Sequence, residues 1–266
     1  MNTRPNMARP TVARPTVDEL TLVQRYVERV RNRACQRGLA LHLDNDVDAF
    51  VDFLSAQEAT HGVSSIHDPA HSYITPDNFL WMRIDDGGTG VCCHAIRLVE
   101  TDDLIAEVLT HRIFGNLAAT LDFQDVELYP EAWQIDIAGR VVIGGGLWVH
   151  PGHRGRDYSA LFRKLLRVVA IRHFRLDYYA SFIRNTNSRK AWVLGSYGSP
   201  NAIPLLHGYY PPYRRPLDVQ LAYASRPEIL SRIREELMRS DPSTRGSHRP
   251  AVLPQEERQA ESTRAS

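Results

Sequence analysis

Apolar positions along the chain follow two periods in turn. Leu20, Val23, Val27 and Val30 recur at helical spacing behind Thr16 and Glu19, an S/T-x-x-E capping box, and Gly38 closes the segment. This pattern predicts an amphipathic helix. A short strand at Leu39–Leu43 and a second helix at about Asp46–Gln57 follow, and His61–Asp77 reads as loop. The apolar runs Asn78–Ile84 and Gly90–Val99 flank Asp85-Asp86-Gly87-Gly88. An Asp-Gly turn between two such runs predicts a hairpin. A helix at Asp102–Ile113 and an irregular section to about Glu131 lead into the strand Val141–Val149. Three glycines inside that apolar run, Gly144, Gly145 and Gly146, predict a bulge or a close approach to the backbone by another chain or a ligand.

Beyond a turn at His150–Arg156, Leu161, Leu165, Val168 and Val169 give the segment from Asp157 to about Arg175 the apolar face of a long helix. A β-run at Asp177–Ile183 and a helix from Asn185 to about Gly195 come next. Strands at Ile203–Leu206 and Leu217–Tyr223 precede a last amphipathic helix, boxed by Ser225 and Glu228 and carrying Ile229, Ile233 and Leu237. Mixed order with one βαβ unit in the middle predicts an α/β or α+β domain.

Composition narrows the function classes. The 266 residues are 43% apolar, and 32 Lys plus Arg against 31 Asp plus Glu give a net charge of +1. Charge this balanced gives no whole-protein attraction to nucleic acid or to an anionic membrane. The longest uncharged apolar run, Val141–Val149, is far short of the roughly 20 residues that span a bilayer. Three cysteines, Cys35, Cys92 and Cys93, make no disulfide framework, and adjacent Cys92 and Cys93 face opposite sides of a strand. A reduced, cytoplasmic protein is expected. The Pro-rich leader at residues 1–16, with its ARPTV-ARPTV repeat, and the polar stretch at 240–266 read as disordered. Residues 17–77 are expected to form a helical segment packed on a core at 78–239.

The unit that carries chemistry is strand, tight basic turn, long helix: GGGLWVHPGHRGRDYS. Such a junction leaves the first helical amides pointing at solvent with the positive dipole end behind them, which makes a phosphate or pyrophosphate site. Arg154 and Arg156 add cationic charge. The glycine-loosened strand would hold an extended arm, and a pyrophosphate joined to an amide-bearing arm describes coenzyme A. On spacing alone, a plain basic turn into a surface helix accounts for the segment equally well.

The segment resembles the coenzyme A-binding motif of the GNAT superfamily of N-acetyltransferases, a strand ending V-x-P followed by R/Q-x-x-G-x-G/A. Val149 and Pro151 stand in its first part and Arg154-Gly-Arg-Asp-Tyr-Ser159 in its second, with Asp157 in place of the first glycine and Ser159 as the second small residue. A second family element, N-x-x-A-x-x-x-Y-x-x-x-G-F, is matched by Asn185, Ser188 and Trp192, with Ser196-Tyr197 after them. Trp192 replaces the tyrosine that often protonates the departing thiolate. The resemblance implies a GNAT-like α/β fold, a mixed and mostly antiparallel central sheet flanked by helices. It further implies acyl transfer, most simply of acetyl, from acetyl-CoA or another acyl-CoA to a small-molecule or peptide amine, without metal, nucleic acid or membrane. A homodimer is compatible with it. Leu147, Val149, Arg154, Gly155, Arg156, Asp157, Tyr158, Ser159 and Asn185 would bind the coenzyme, and His150 and Tyr197 would move the proton. A non-catalytic module that binds acyl-CoA or a protein partner is the alternative, favoured by Asp157 and Trp192.

Other clusters point less sharply. His61, His67, Asp68 and His71 match no standard zinc spacing and read as solvated loop residues or acceptor contacts. Tyr209-Tyr-Pro-Pro-Tyr213 reads as a stiff loop walling an acceptor pocket, and Trp81, Trp133 and Trp148 as core or pocket wall.

Overall fold

The computed structural model describes residues 13–58, 60, 62–110, 112–113, 126–156, 158–184, 199–210 and 215–239. Their order is α1 (Val17–Cys35), β1 (Leu39–Asp44), α2 (Val47–Ser55), β2 (Phe79–Asp86), β3 (Thr89–Thr101), α3 (Leu104–Leu109), β4 (Glu127–Leu128), β5 (Gly139–Val149), α4 (Tyr158–Phe174), β6 (Tyr178–Arg184), β7 (Asn201–Tyr210), β8 (Arg215–Ser225) and α5 (Arg226–Arg239). Short 3-10 turns lie at Ser65–His67, Pro130–Gln134 and Pro151–His153. The strands form one sheet in the order β1-β2-β3-β5-β6-β8-β7-β4. Every neighbouring pair is antiparallel except β5 and β6, which run parallel across the α4 crossover. This is the mixed, mostly antiparallel α/β architecture expected from the sequence.

Local chemistry explains the element ends. The Thr16 hydroxyl accepts from Glu19 N while the Glu19 carboxylate accepts from Thr16 N, so the capping box starts α1. The β2–β3 loop is the two residues Gly87 and Gly88, both at positive φ (58° and 84°), and the strands reach through Asp85 and Asp86 on one side and Thr89 on the other. The hairpin turn is therefore tighter than Asp85–Gly88. Asp103 caps α3, which is shorter than the stretch Asp102–Ile113. The helix expected at Asn185–Gly195 lies outside the described residues, as do residues 1–12 of the leader and 240–266 of the tail. At the near end of the leader, Ala13 O accepts a 2.8 Å bond from Arg226.

Alternation along β5 sends Val142 to one face and Val141 and Ile143 to the other. On the first face α1, α4 and α5 pack through Val23, Tyr26, Val30, Phe162, Leu166 and Ile229. On the second, Phe50 and Leu54 of α2 meet Phe79, Trp81 and Trp148, and α3 contributes Leu104, Ile105 and Val108. Cys92 and Cys93 divide between the two faces and are both buried. Trp81 and Trp148 are core, but Trp133 is 54% exposed on its 3-10 turn. No helix among the described residues is long and apolar enough to cross a membrane.

Candidate functional site

The parallel pair is short. β5 meets β6 only from Val141↔Tyr178 to Gly144↔Ser181. Beyond that level β5 stays with β3 as far as Val149↔Cys92, while β6 stays with β8 as far as Arg184↔Val219. The two strands therefore part, and the facing edges of their C-terminal halves form a cleft. The three glycines sit at its apex. Cys93 pairs with Trp148 and Ala95 with Gly145, so β5 carries one residue more than β3 over this interval, and Gly146 takes φ 59° within the resulting bulge. The expected bulge is present.

Each glycine is also a close approach. A Cβ on Gly144 would lie 1.8 Å from the Tyr179 hydroxyl, one on Gly145 2.5 Å from the His67 ring, and one on Gly146 2.7 Å from Phe50. His150 N donates to Val91 O, so that amide faces β3. Strand alternation then turns the Val149 N–H toward the cleft. The Val149 carbonyl does face outward there, since Arg154 Nε donates to it at 3.3 Å. Ser181 Oγ, buried at the last paired level, has no hydrogen-bond partner among the described residues. An open strand amide, an unsatisfied hydroxyl and glycines without side chains make a cradle that suits an amide-bearing arm.

The turn at the mouth of the cleft is less purely basic than its sequence. Gly155 adopts φ 81° and lets the chain swing from the 3-10 turn into α4. Asp86, at the end of β2, lies 3.6 Å from His153 Nδ1 and 3.8 Å from Arg156 Nη1. Arg154 has no carboxylate partner among the described residues. His150 accepts the Gly152 N–H on Nδ1 at 3.1 Å, so its neutral ring carries the proton on Nε2 and keeps no spare lone pair. Tyr158 is buried, its ring stacked on His153 and leaning on Phe162, so only its backbone is available to a ligand. Asp157, Asn185 and Tyr197 lie outside the described residues, as does the Ser159 side chain.

Two buried polar groups flank the apex that sequence reasoning did not place there. On the α4 face, Tyr179 OH lies 3.1 Å from His94 Nε2, and the Arg167 guanidinium lies over the Tyr179 ring. Burial, with Arg163 and His67 adding to it, holds His94 well below the ordinary histidine pKa. On the opposite face His67 is 1% exposed, not a solvated loop residue: the 3-10 turn Ser65–His67 folds it under the sheet. Its Nε2 bonds Ile143 O at 3.1 Å, and a carbonyl only accepts, so Nε2 carries the proton and Nδ1 is bare. Nδ1 is enclosed, with no hydrogen-bond partner among the described residues. Burial brings this ring to about 4, with the Arg97 charge acting the same way and the Ile143 bond opposing both. Among the described residues no group of three or more His, Cys, Asp or Glu could hold a metal ion.

No family model and no curated protein matches the chain. Solved structures do. A dodecameric spermidine N-acetyltransferase of Vibrio cholerae is similar at 10% identity over 73% of this chain and 98% of that one, with a TM-score of 0.43. NAA60 of Arabidopsis thaliana bound to a bisubstrate analogue is similar at 11% identity over 70% of this chain and 97% of that one, with a TM-score of 0.39. AAC(6')-Ib with acetyl-CoA is similar at 10% identity over 77% and 99%, with a TM-score of 0.41. Likeness this distant says nothing about activity, and the chemistry of the cleft rests on its own residues.

Proposed function

We propose that the protein is an acyl-CoA-dependent N-acyltransferase of the GNAT type, with residues 78–239 carrying the site and 17–77 adding α1, α2 and the edge strand β1 to the same sheet and core. The observation that carries this reading is the parting of β5 from β6 at Gly144, with a bulge and the outward-facing backbone of Val149 beyond it. The pantetheine arm of acetyl-CoA would lie along Leu147–Val149, reaching Ser181 at the apex. Its pyrophosphate would sit at the α4 N-terminus with Arg154 and Arg156. The Leu147 and Val149 amides would polarise the thioester carbonyl as oxygen takes on charge. The amine nitrogen forms the new C–N bond, the C–S bond breaks, and one proton passes from nitrogen to the departing thiolate. His150 and Tyr197 are the groups proposed to carry that proton, and His150 can accept it on Nδ1 only after releasing the Gly152 N–H. The reading calls for no metal, nucleic acid or membrane partner. It is compatible with a cytoplasmic homodimer, as the spermidine enzyme of Vibrio cholerae is itself an oligomer.

Calorimetric titration with acetyl-CoA tests the site, and thiol release over a panel of amines and peptides tests the activity. Binding that Arg154→Ala weakens about tenfold, the loss of one charge-assisted contact to phosphate, is the expected result. Unchanged affinity in that variant places the phosphates elsewhere. Binding without thiol release favours a non-catalytic acyl-CoA module, which Asp157, Trp192 and the Asp86 contacts also favour.

A further inference from the structure

Three arginines converge on a pocket apart from the cleft. The pocket, about 200 Å³ in volume, lies among α1, α4 and α5. Its floor is apolar: Tyr26 and Val30 are buried in the core, and Leu161 packs against it. Its rim is cationic, with Arg33 in the last turn of α1 and Arg239 in the last turn of α5, both exposed, and a half-buried Arg29. Glu236 is the carboxylate in the wall. Its two oxygens are already taken, one by the Tyr26 hydroxyl at 3.0 Å and the other by Lys164 Nζ at 2.7 Å.

The three cations are not equally engaged. Arg29 donates through Nη1 to the Glu236 and Leu237 carbonyls at 3.3 and 3.2 Å, which ties it to the end of α5. Arg239 shares Glu235 at 3.2 Å, one turn back on its own helix, in an exposed pair that contributes little. Arg33 has no hydrogen-bond or ion-pair partner among the described residues. A cation in the last turn complements the helix dipole, which explains one charge at each helix end. It does not explain why two helix ends bring their cations to one apolar hollow. From Arg25 to Arg37 the chain carries five arginines and one glutamate, so the field here is positive although the whole protein is nearly neutral.

We propose that this pocket binds a small aryl-substituted carboxylate, its ring over Val30 and Leu161 and its carboxylate on Arg33 and Arg239. The site is independent of the transferase reading, since no lining residue belongs to β5, β6 or the turn at His150–Arg156. Volume sets the body. A cavity of about 150 Å³ admits benzene, so one of about 200 Å³ admits a ring with one small polar group. It falls short of the roughly 300–1,000 Å³ that drug-sized ligands occupy. Charge sets the head group: one arginine is unengaged and one is weakly paired, which a single carboxylate balances and a dianion would overshoot, against Glu236. Guanidinium forks bind a carboxylate through paired N–H groups. No group in the lining is placed to react with such a ligand. Glu236 is engaged, and burial, with Glu236 adding to it, raises the Tyr26 phenol well above its ordinary pKa. The pocket therefore holds its ligand unchanged.

Calorimetric titration of the full-length protein with phenylacetate tests this. Acetate supplies the charge without the ring, phenylacetamide the ring without the charge, and inorganic phosphate a compact anion of higher charge. Saturable phenylacetate binding in the micromolar-to-millimolar range of so small a ligand is expected, about tenfold tighter than for any of the other three. Arg33→Ala and Arg239→Ala alter exposed side chains and leave the core intact; each should weaken phenylacetate about threefold, and the pair about tenfold. Saturating acetyl-CoA should leave the affinity for phenylacetate unchanged. Absence of saturable phenylacetate binding overturns the proposal, as does equal binding of acetate, phenylacetamide or phosphate. Affinity that survives the double arginine variant, or that acetyl-CoA abolishes, overturns it too, because the ligand then sits elsewhere. Phenylacetate binding as expected in a protein that binds no acetyl-CoA upholds the site and removes the transferase reading.

Discussion

Gly146→Ala tests the bulge directly. Gly146 holds φ 59°, and a Cβ there would meet Phe50 Cζ at 2.7 Å. Phe50 has no room to withdraw: it is fully buried, with ring centroids 5.5 Å from Phe79 and 5.6 Å from Trp81. The left-handed backbone costs an alanine about 1–2 kcal/mol, and overpacking adds about 1–3 kcal/mol. Together these lower the melting temperature by roughly 5–15 °C in a chain of this size. Gly155→Ala is the matched control, because Gly155 has φ 81° and nothing within 4 Å of the added carbon. It carries the backbone cost alone, roughly 2–6 °C. Differential scanning calorimetry of the two variants isolates the packing part as their difference. Equal shifts would mean that β5 is not pinned against Phe50, and the cleft would lose its fixed apex.

Three further outcomes follow from the same contacts. Asp86→Asn frees His153 and Arg156 and should tighten acetyl-CoA binding two- to fivefold, roughly what one partly screened charge is worth, with a larger gain at low salt; calorimetry at two salt concentrations measures it. His67 binds its proton at about 4 when folded and at about 6.5 when unfolded, so between these values the unfolded chain takes up the proton. Its contribution, about 3 kcal/mol, is complete above pH 6.5 and is lost as pH falls toward 4. Urea unfolding at pH 7 and pH 5 should show this loss, smaller in His67→Gln, with the buried His94 supplying the remainder. Finally, a thiol reagent should modify one cysteine, Cys35, rapidly in the native protein and all three in denaturant. Cys92 and Cys93 are buried, and burial pushes both thiols well up, Cys93 to about 12.

The features legible in the sequence are those set by near neighbours. The Thr16–Glu19 box and the glycine run of β5 each declare a local backbone geometry and are found where the pattern puts them, and the hairpin expected at Asp85–Gly88 is present with its turn narrowed to Gly87 and Gly88. The site polarity was harder to read because it arises from pairs far apart in the chain. Asp86 quiets a turn some 70 residues later, and nothing in HPGHRGR announces that. His67 belongs to a polar stretch that reads as solvated until its 3-10 turn tucks it beneath Ile143. His94 and Arg97 did carry a signal: they interrupt a strand otherwise as apolar as one covered on both faces, where a charge is seldom kept without a purpose. Trp133, read from the sequence as core or pocket wall, is not core: it is half exposed on its 3-10 turn.

The joining of α1 to α5 bears on how the molecule can be made. Tyr26 OH donates to Glu236 across 210 residues of sequence, Arg29 donates to the carbonyls of Glu236 and Leu237, and Lys164 of α4 completes the knot. During vectorial synthesis α1 emerges before its helical partners, and its apolar face, which also meets the sheet, is not fully covered until α4 and then α5 have followed. Contacts this distant in sequence form late and slow the final step of folding. The helix that begins the fold is thus among the last to be seated, and a nascent chain halted before α5 would carry Tyr26 and Val30 uncovered. Such a chain invites chaperone binding or aggregation.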